Sequence, residues 1–234
     1  MPKTRKHYHG HRKRLRERFL KNGLDGFHDY EIVELILTLA TPRRDCKQAA
    51  KEAIKKFDNL RGVMKASGKE LQKIKGIGEK NIFGIKFVKE VGEEYLKQKL
   101  EEKKYCKNSK EVYEYLVFSM RDNEKEVFKI IFLDTQNAVI DIETLFKGTV
   151  DSSVIYPREI VKKALDNNAT SIILVHNHPS GNLKPNTADE KTTQKIMKSC
   201  KVIGVRVLDH IIIGDNNYYS YADAGKIKKW ENNI

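Results

Sequence analysis

The sequence predicts an α+β protein in two parts, an all-helical domain over residues 1–105 and a mixed α/β domain over residues 106–234. Up to about residue 100, apolar residues recur at spacings of three and four, the period of a helix buried on one face. Beyond residue 110, short runs rich in Val, Ile and Phe alternate with helical patterns. Between the two lies EEYLKQKLEEKKYCKNSK, charged and free of Gly and Pro, which reads as a helix tail running into a solvated linker near residues 104–109.

Taken in order, Asp29 opens a stretch in which Ile32, Val33, Leu35, Ile36, Leu37 and Leu39 supply broad apolar faces, so a helix is expected there. A second is expected from Asp45, with Cys46, Ala49, Ala50, Ala53, Ile54 and Phe57 on one face. Ser67 offers an N-cap, with Glu70 at the spacing of a capping box. The second half should hold a helix near 111–120, a strand VFKIIFLD, a turn at Gln136-Asn137, a strand AVIDIETLF and a helix over 157–165. The run SIILV then reads as a buried strand that delivers the chain to His176. A helix after Asp189, a strand through 205–208 and a hairpin turning at Asp215-Asn216-Asn217 complete the domain.

Charge is distributed unevenly. Residues 1–105 contain 27 Lys and Arg against 15 Asp and Glu, a net +12, whereas residues 106–234 contain 18 against 17, a net +1. A basic N-terminal half suits a polyanionic partner such as nucleic acid. Cys46, Cys106 and Cys200 form no CxxC pair and read as thiols of a reducing compartment. The first nineteen residues are densely basic with no apolar stretch behind them, unlike a secretory signal, and the most apolar window, 32–40, is too short for a bilayer. A cytoplasmic protein with no membrane span is expected. His7, His9 and His11 alternate in a basic tail expected to be disordered and not to bind metal.

The segment HNHPSGNLKPNTAD carries the chemistry. His176 and His178 alternate at the end of the expected strand, so both rings point to one face. Asp189 follows across a loop rich in Pro, Gly and Asn and can fold back as a third ligand from the start of the next helix, leaving a fourth position for water. Three protein ligands and an open position form the catalytic zinc arrangement. Structural zinc is normally closed by four ligands, usually cysteines, and no cysteine lies near. A bare HxH more often ends a strand and hydrogen-bonds, so the flanking residues decide.

Those flanks resemble the JAMM metalloprotease motif, which pairs an upstream Glu with His-x-His and a downstream Asp, and more closely the bacterial RadC family. The supporting residues are FKGTVDSSVIYPREIVKKAL at 146–165, HNHPSGNLKP at 176–185 and RVLDHIIIGDNNYYSYAD at 206–223. The resemblance implies a JAMM/MPN-like domain with Zn2+ on His176, His178 and Asp189. It also implies a general acid/base Glu at the beginning of an early strand, a place matched by Glu126, with Glu143 on the next strand in reserve. Where the JAMM pattern has Ser three residues before the Asp, this chain has Asn186, whose amide can donate to a developing oxyanion as the hydroxyl would. Asp209 and His210 also resemble the family pattern and are expected to terminate a strand and support the site. Ser180 and Gly181 are expected only to shape the turn after Pro179.

In the basic half, LQKIKGIGEKNIFGIKFV places Gly76-Ile77-Gly78 between two helical patterns and resembles the helix-hairpin-helix motif of nonspecific DNA binders. Gly76 and Gly78 permit a tight turn whose N–H groups can meet a phosphate, and Lys73, Lys75 and Lys80 add charge. The stretch from RLRERFLKNG through this hairpin resembles the RadC N-terminal domain. The function expected is therefore zinc-dependent hydrolysis of a peptide or isopeptide bond in a protein substrate, coupled to DNA binding, in a family historically labelled as DNA repair factors. The alternatives are a metal-dependent nuclease and a non-catalytic DNA- or protein-binding module, to which Asn186 is the one pointer.

Overall fold

The computed structural model describes residues 10–41, 44–101, 109–148, 155–215 and 217–233. It divides into two compact units, Met1–Gly92 and Glu93–Ile234. The first consists of α1 (His11–Asn22), α2 (Asp29–Ala40), α3 (Lys47–Phe57), α4 (Leu60–Lys65), α5 (Gly68–Gln72) and the start of α6 (Glu79–Glu101). Its core joins Val33 and Leu37 of α2 to Ala50 and Ala53 of α3, Val63, Leu71 and Ile85. The small side chains on one stripe of α3 let α2 pack closely against it.

Two carboxylates on α2 are buried and paired. Glu31 lies 2.6 Å from the Arg18 guanidinium and Glu34 lies 3.1 Å from the His11 ring. His11, expected in a disordered tail, therefore opens α1 because a buried carboxylate demands a partner; His7 and His9 fall outside the described residues. Ser67 and Glu70 form the capping box that their spacing predicts. In the turn between α5 and α6, Ile74 and Ile77 are buried while Lys73, Lys75, Gly76 and Gly78 are exposed, as is Lys80 in the first turn of α6. Gly76 has φ +98°, and a Cβ there would meet the Ala49 Cβ at 3.4 Å.

The division between units falls inside α6, where the sequence reading set it at 105/106. Leu96 and Leu100, one helical turn apart, pack into the core of the second unit. Residues 104–108 of the expected linker fall outside the described residues, and Ser109 opens α7 (Ser109–Met120). Then come β1 (Glu126–Leu133), β2 (Val139–Gly148), α8 (Pro157–Asp166), β3 (Ser171–Asn177), α9 (Thr187–Val202), β4 (Arg206–Ile213), β5 (Tyr218–Ser220) and α10 (Lys226–Glu231). The sheet order is β2-β1-β3-β4-β5, with β3 and β4 parallel and joined across α9, and the other neighbours antiparallel.

Each strand sends alternate residues to opposite faces. Phe128, Ile130 and Phe132 of β1 pack with Ile160 of α8, Ile196 and Cys200 of α9 and Ile227 of α10. Val127, Ile131 and Leu133 pack with Leu100 and with Val112, Leu116 and Met120 of α7. In β4 the register slips by one against β3: Ile172 pairs with Val207 but Ile173 pairs with Asp209, so Leu208 is an extra residue in a bulge. Val207 and Ile212 therefore share the α9 side although they lie an odd number of residues apart. Asp209 and His210, expected to terminate a strand, sit inside β4 beyond that bulge.

Cys46 and Cys200 are buried free thiols; Cys106 falls outside the described residues, as does Asn216 of the expected β4–β5 turn. Among the described residues no helix is long and apolar enough to cross a membrane. Gly76→Ala should destabilise the first unit by about 1–3 kcal/mol, because an L side chain at that φ is strained. Chemical denaturation measures this, and an unchanged midpoint would show that the turn relaxes freely.

Candidate metal centre

Three elements of the second unit deliver side chains to one point. Glu126 is the first residue of β1, His176 lies near the end of β3 with His178 just beyond it, and Asp189 sits in the first turn of α9. In α9, Asp189 lies one turn before Thr193, on the stripe continued by Ile196, Met197 and Cys200 that faces the sheet. A reciprocal capping box fixes that first turn: the Asn186 Oδ1 accepts from the Asp189 N–H at 2.8 Å, and the Asp189 carboxylate accepts from the Asn186 N–H at 2.8 Å. The capping bond leaves the amide NH2 of Asn186 outside it.

Asn177, between the two histidines, faces the other side of β3 and is 1 % exposed. Its Oδ1 accepts from the Val127 N–H at 2.7 Å, and its NH2 donates to the Lys125 and Asn123 carbonyls at 3.3 and 3.4 Å. It thus pins the backbone on both sides of Glu126. Sequence reasoning missed it, although an Asn on the buried side of a strand must find partners and so signals a clamp.

One ligand atom from each of Glu126, His176, His178 and Asp189 lies within 4.8 Å of all the others. The two histidine Nε2 atoms are 2.9 Å apart, the Asp189 oxygens stand 3.4 Å from His176 Nε2 and 3.5 Å from His178 Nε2, and Glu126 Oε1 is 3.9 Å from His176 Nε2. The Nδ1 of His178 lies 2.6 Å from the Asn182 carbonyl, which can only accept, so Nδ1 carries a proton and Nε2 is aimed into the cluster. Two imidazole nitrogens and two carboxylates converge on a point that attracts positive charge. This donor set fits a divalent metal bound by N and O ligands.

The ionisation pattern agrees. The hydrogen bond to Asp189 raises His178 above the ordinary histidine range. Burial pushes Asp189 up, but its bond to His178, the adjacent His176 and the Asn186 N–H together hold it below its ordinary value. Burial, then the neighbouring His210, drives His176 well below the ordinary histidine range. Burial raises Glu126; the His178 charge opposes this and Asp189 reinforces it.

The remaining expected residues lie elsewhere or act differently. Glu143, the reserve carboxylate, is bonded to Lys163 and to Asn167 Nδ2, and stands outside the cluster. Asp209 accepts from the Ser220 hydroxyl and from the N–H groups of Ala222 and His210, which ties β4 to the corner before α10. Burial raises its carboxyl to about 6. His210 reaches the site, its Nε2 standing 2.8 Å from His176 Nδ1. Ser180 and Gly181 form the expected turn, the Gly181 N–H donating to the His178 carbonyl. Lys73, Lys75, Gly76, Gly78 and Lys80 belong to the first unit.

Comparison with known proteins matches residues 106–226 to the RadC-like JAB domain. The chain belongs to the RadC family. Its helical part matches the UPF0758 N-terminal family over residues 9–83. A UPF0758 protein of Fusobacterium nucleatum subsp. nucleatum is 42% identical over 225 residues, covering 93% of this chain and 97% of the relative. The cluster able to hold a metal lies in the RadC-like JAB half.

His178→Ala or Asp189→Ala should each remove most of any divalent metal that the cluster binds, because each takes away one of its converging donors; full occupancy in both variants by elemental analysis would place the metal elsewhere. Asn177→Ala should cost about 1–3 kcal/mol by leaving the buried Val127 N–H unpaired. Equilibrium unfolding reads that loss, and wild-type stability would show that water replaces the clamp.

Proposed function

We propose that this RadC-family chain is a zinc-dependent hydrolase of peptide or isopeptide bonds whose helical unit binds DNA. The observation that carries the reading is the convergence of Glu126, His176, His178 and Asp189 on one point. In it, His176, His178 and Asp189 hold the metal. Zinc, when bound, polarises a carbonyl and lowers the pKa of water to about 7. Glu126, raised by burial, takes a proton from the attacking water as its oxygen bonds to the carbonyl carbon, and delivers one to the leaving nitrogen as the C–N bond breaks. The Asn186 NH2, unused by the helix cap, serves as donor to the oxyanion.

The exposed turn of the first unit supports the DNA-binding part. Lys73, Lys75 and Lys80 stand around Gly76 and Gly78 at the start of α6, as a helix-hairpin-helix contact to phosphate requires. The same basic unit favours a second reading, phosphodiester hydrolysis at the cluster.

Glu126→Gln should keep fold and zinc while hydrolysis falls roughly a hundredfold or more, since Gln can neither take nor deliver the proton. Comparing wild type and this variant in cell extract, with both new protein termini and new DNA ends read out, separates the two substrates; equal activity of the zinc-loaded variant would remove Glu126 from the chemistry. Replacing Lys73, Lys75 and Lys80 together by Glu should weaken binding to duplex DNA, measured as a shallower dependence of log affinity on log salt. Unchanged binding would make the turn purely structural.

A further inference from the structure

A chain of hydrogen bonds runs behind the cluster and returns to it. The Thr193 Oγ1 lies 2.6 Å from the backbone carbonyl of Asp189, one turn earlier in α9, and 2.6 Å from His210 Nδ1; His210 Nε2 lies 2.8 Å from His176 Nδ1. The direction of each bond follows from which atoms can only accept. A carbonyl has no proton, so the Thr193 hydroxyl donates to Asp189. Its single proton is then spent, so His210 Nδ1–H donates to the Thr193 oxygen.

His210 is 1 % exposed, and its ring is bonded to a hydroxyl and an imidazole but to no carboxylate, so a second ring proton would bury an unpaired charge. Its Nε2 is therefore bare and accepts from His176 Nδ1–H. That leaves His176 Nε2 without a proton and facing Asp189 and His178. The bulge at Leu208 makes the contact possible by returning His210 to the α9 side of the sheet. Tyr221, stacked on the His210 ring at 5.1 Å and 13°, fixes its plane.

We infer that Thr193 and His210 are positioning residues that lock His176 in its Nδ1–H tautomer and join this ligand on β3 to the ligand Asp189 on α9 through one chain of hydrogen bonds. The inference rests on the proposed metal site, but its first consequence belongs to the metal-free protein. Neither residue touches the reacting atoms; both act through His176.

The test has two readouts on the full-length chain. Long-range 15N–1H NMR correlations of the histidine rings in the metal-free wild type should show His176 protonated at Nδ1 and bare at Nε2, and an Nε2–H tautomer there overturns the inference without any variant. Zinc affinity by chelator competition should fall roughly 10–100-fold in Thr193→Val, which keeps the side-chain shape but removes donor and acceptor, and should return to within about threefold of wild type in Thr193→Ser. A Thr193→Val protein that binds zinc like wild type with the same His176 tautomer would reduce the chain to packing. If wild type binds no zinc yet shows the expected tautomer, the metal reading fails while the bond order of the chain stands.

Discussion

The second unit gathers four ligand atoms from three separate elements, two imidazole nitrogens and two carboxylate oxygens, at one point. Two imidazole nitrogens 2.9 Å apart, flanked by carboxylates, do not gather there without a scaffold that prevents their escape. Much of the surrounding structure can be understood as that restraint. The sheet brings the start of β1 beside the end of β3 by antiparallel pairing, Phe128 standing opposite His176. Helix α9 adds Asp189 from its first turn, where the Asn186 cap holds the carboxylate by its own backbone.

The elements of this scaffold were legible because they depend on local rules. Apolar runs of strand length gave β1 and β3, and spacing of three and four gave the helices around them. The approach of His176, His178 and Asp189 was legible in their spacing, but the place of Glu126 was legible only through resemblance, since no periodicity tells a strand-opening Glu which histidines it will meet. What stayed hidden is nonlocal. The clamp by Asn177 spans about fifty residues of chain, and Thr193 looks like any small residue of a helix until the sheet supplies His210. The end of α6 is similar: Leu96 and Leu100 follow the same pattern as the residues before them, and only the cores show where they pack.

In the first unit some of the basic side chains are used internally. Arg18 and His11 of the basic helix α1 turn inward to the buried carboxylates of α2, so these side chains stabilise the helix pair. The cations left for a polyanion are the exposed ones, such as Lys73, Lys75 and Lys80. Net charge alone does not draw that distinction; burial does.

The bulge in β4 makes the site sensitive to counting as well as to chemistry. Leu208 is only partly buried and rests against the core on the α7 side. Its existence as one extra position is another matter, because everything after it alternates in the opposite phase to everything before it. Pairing the strand regularly with Leu208 kept would leave every chemical group of the site in the sequence yet turn His210 towards α7 and bring Asp209 into its place, whereas deleting Leu208 would straighten the strand with His210 still towards α9. A comparison of related chains at this strand should therefore expect a gap of one at Leu208 to leave His210 in phase, because the extra residue and the bulge go together.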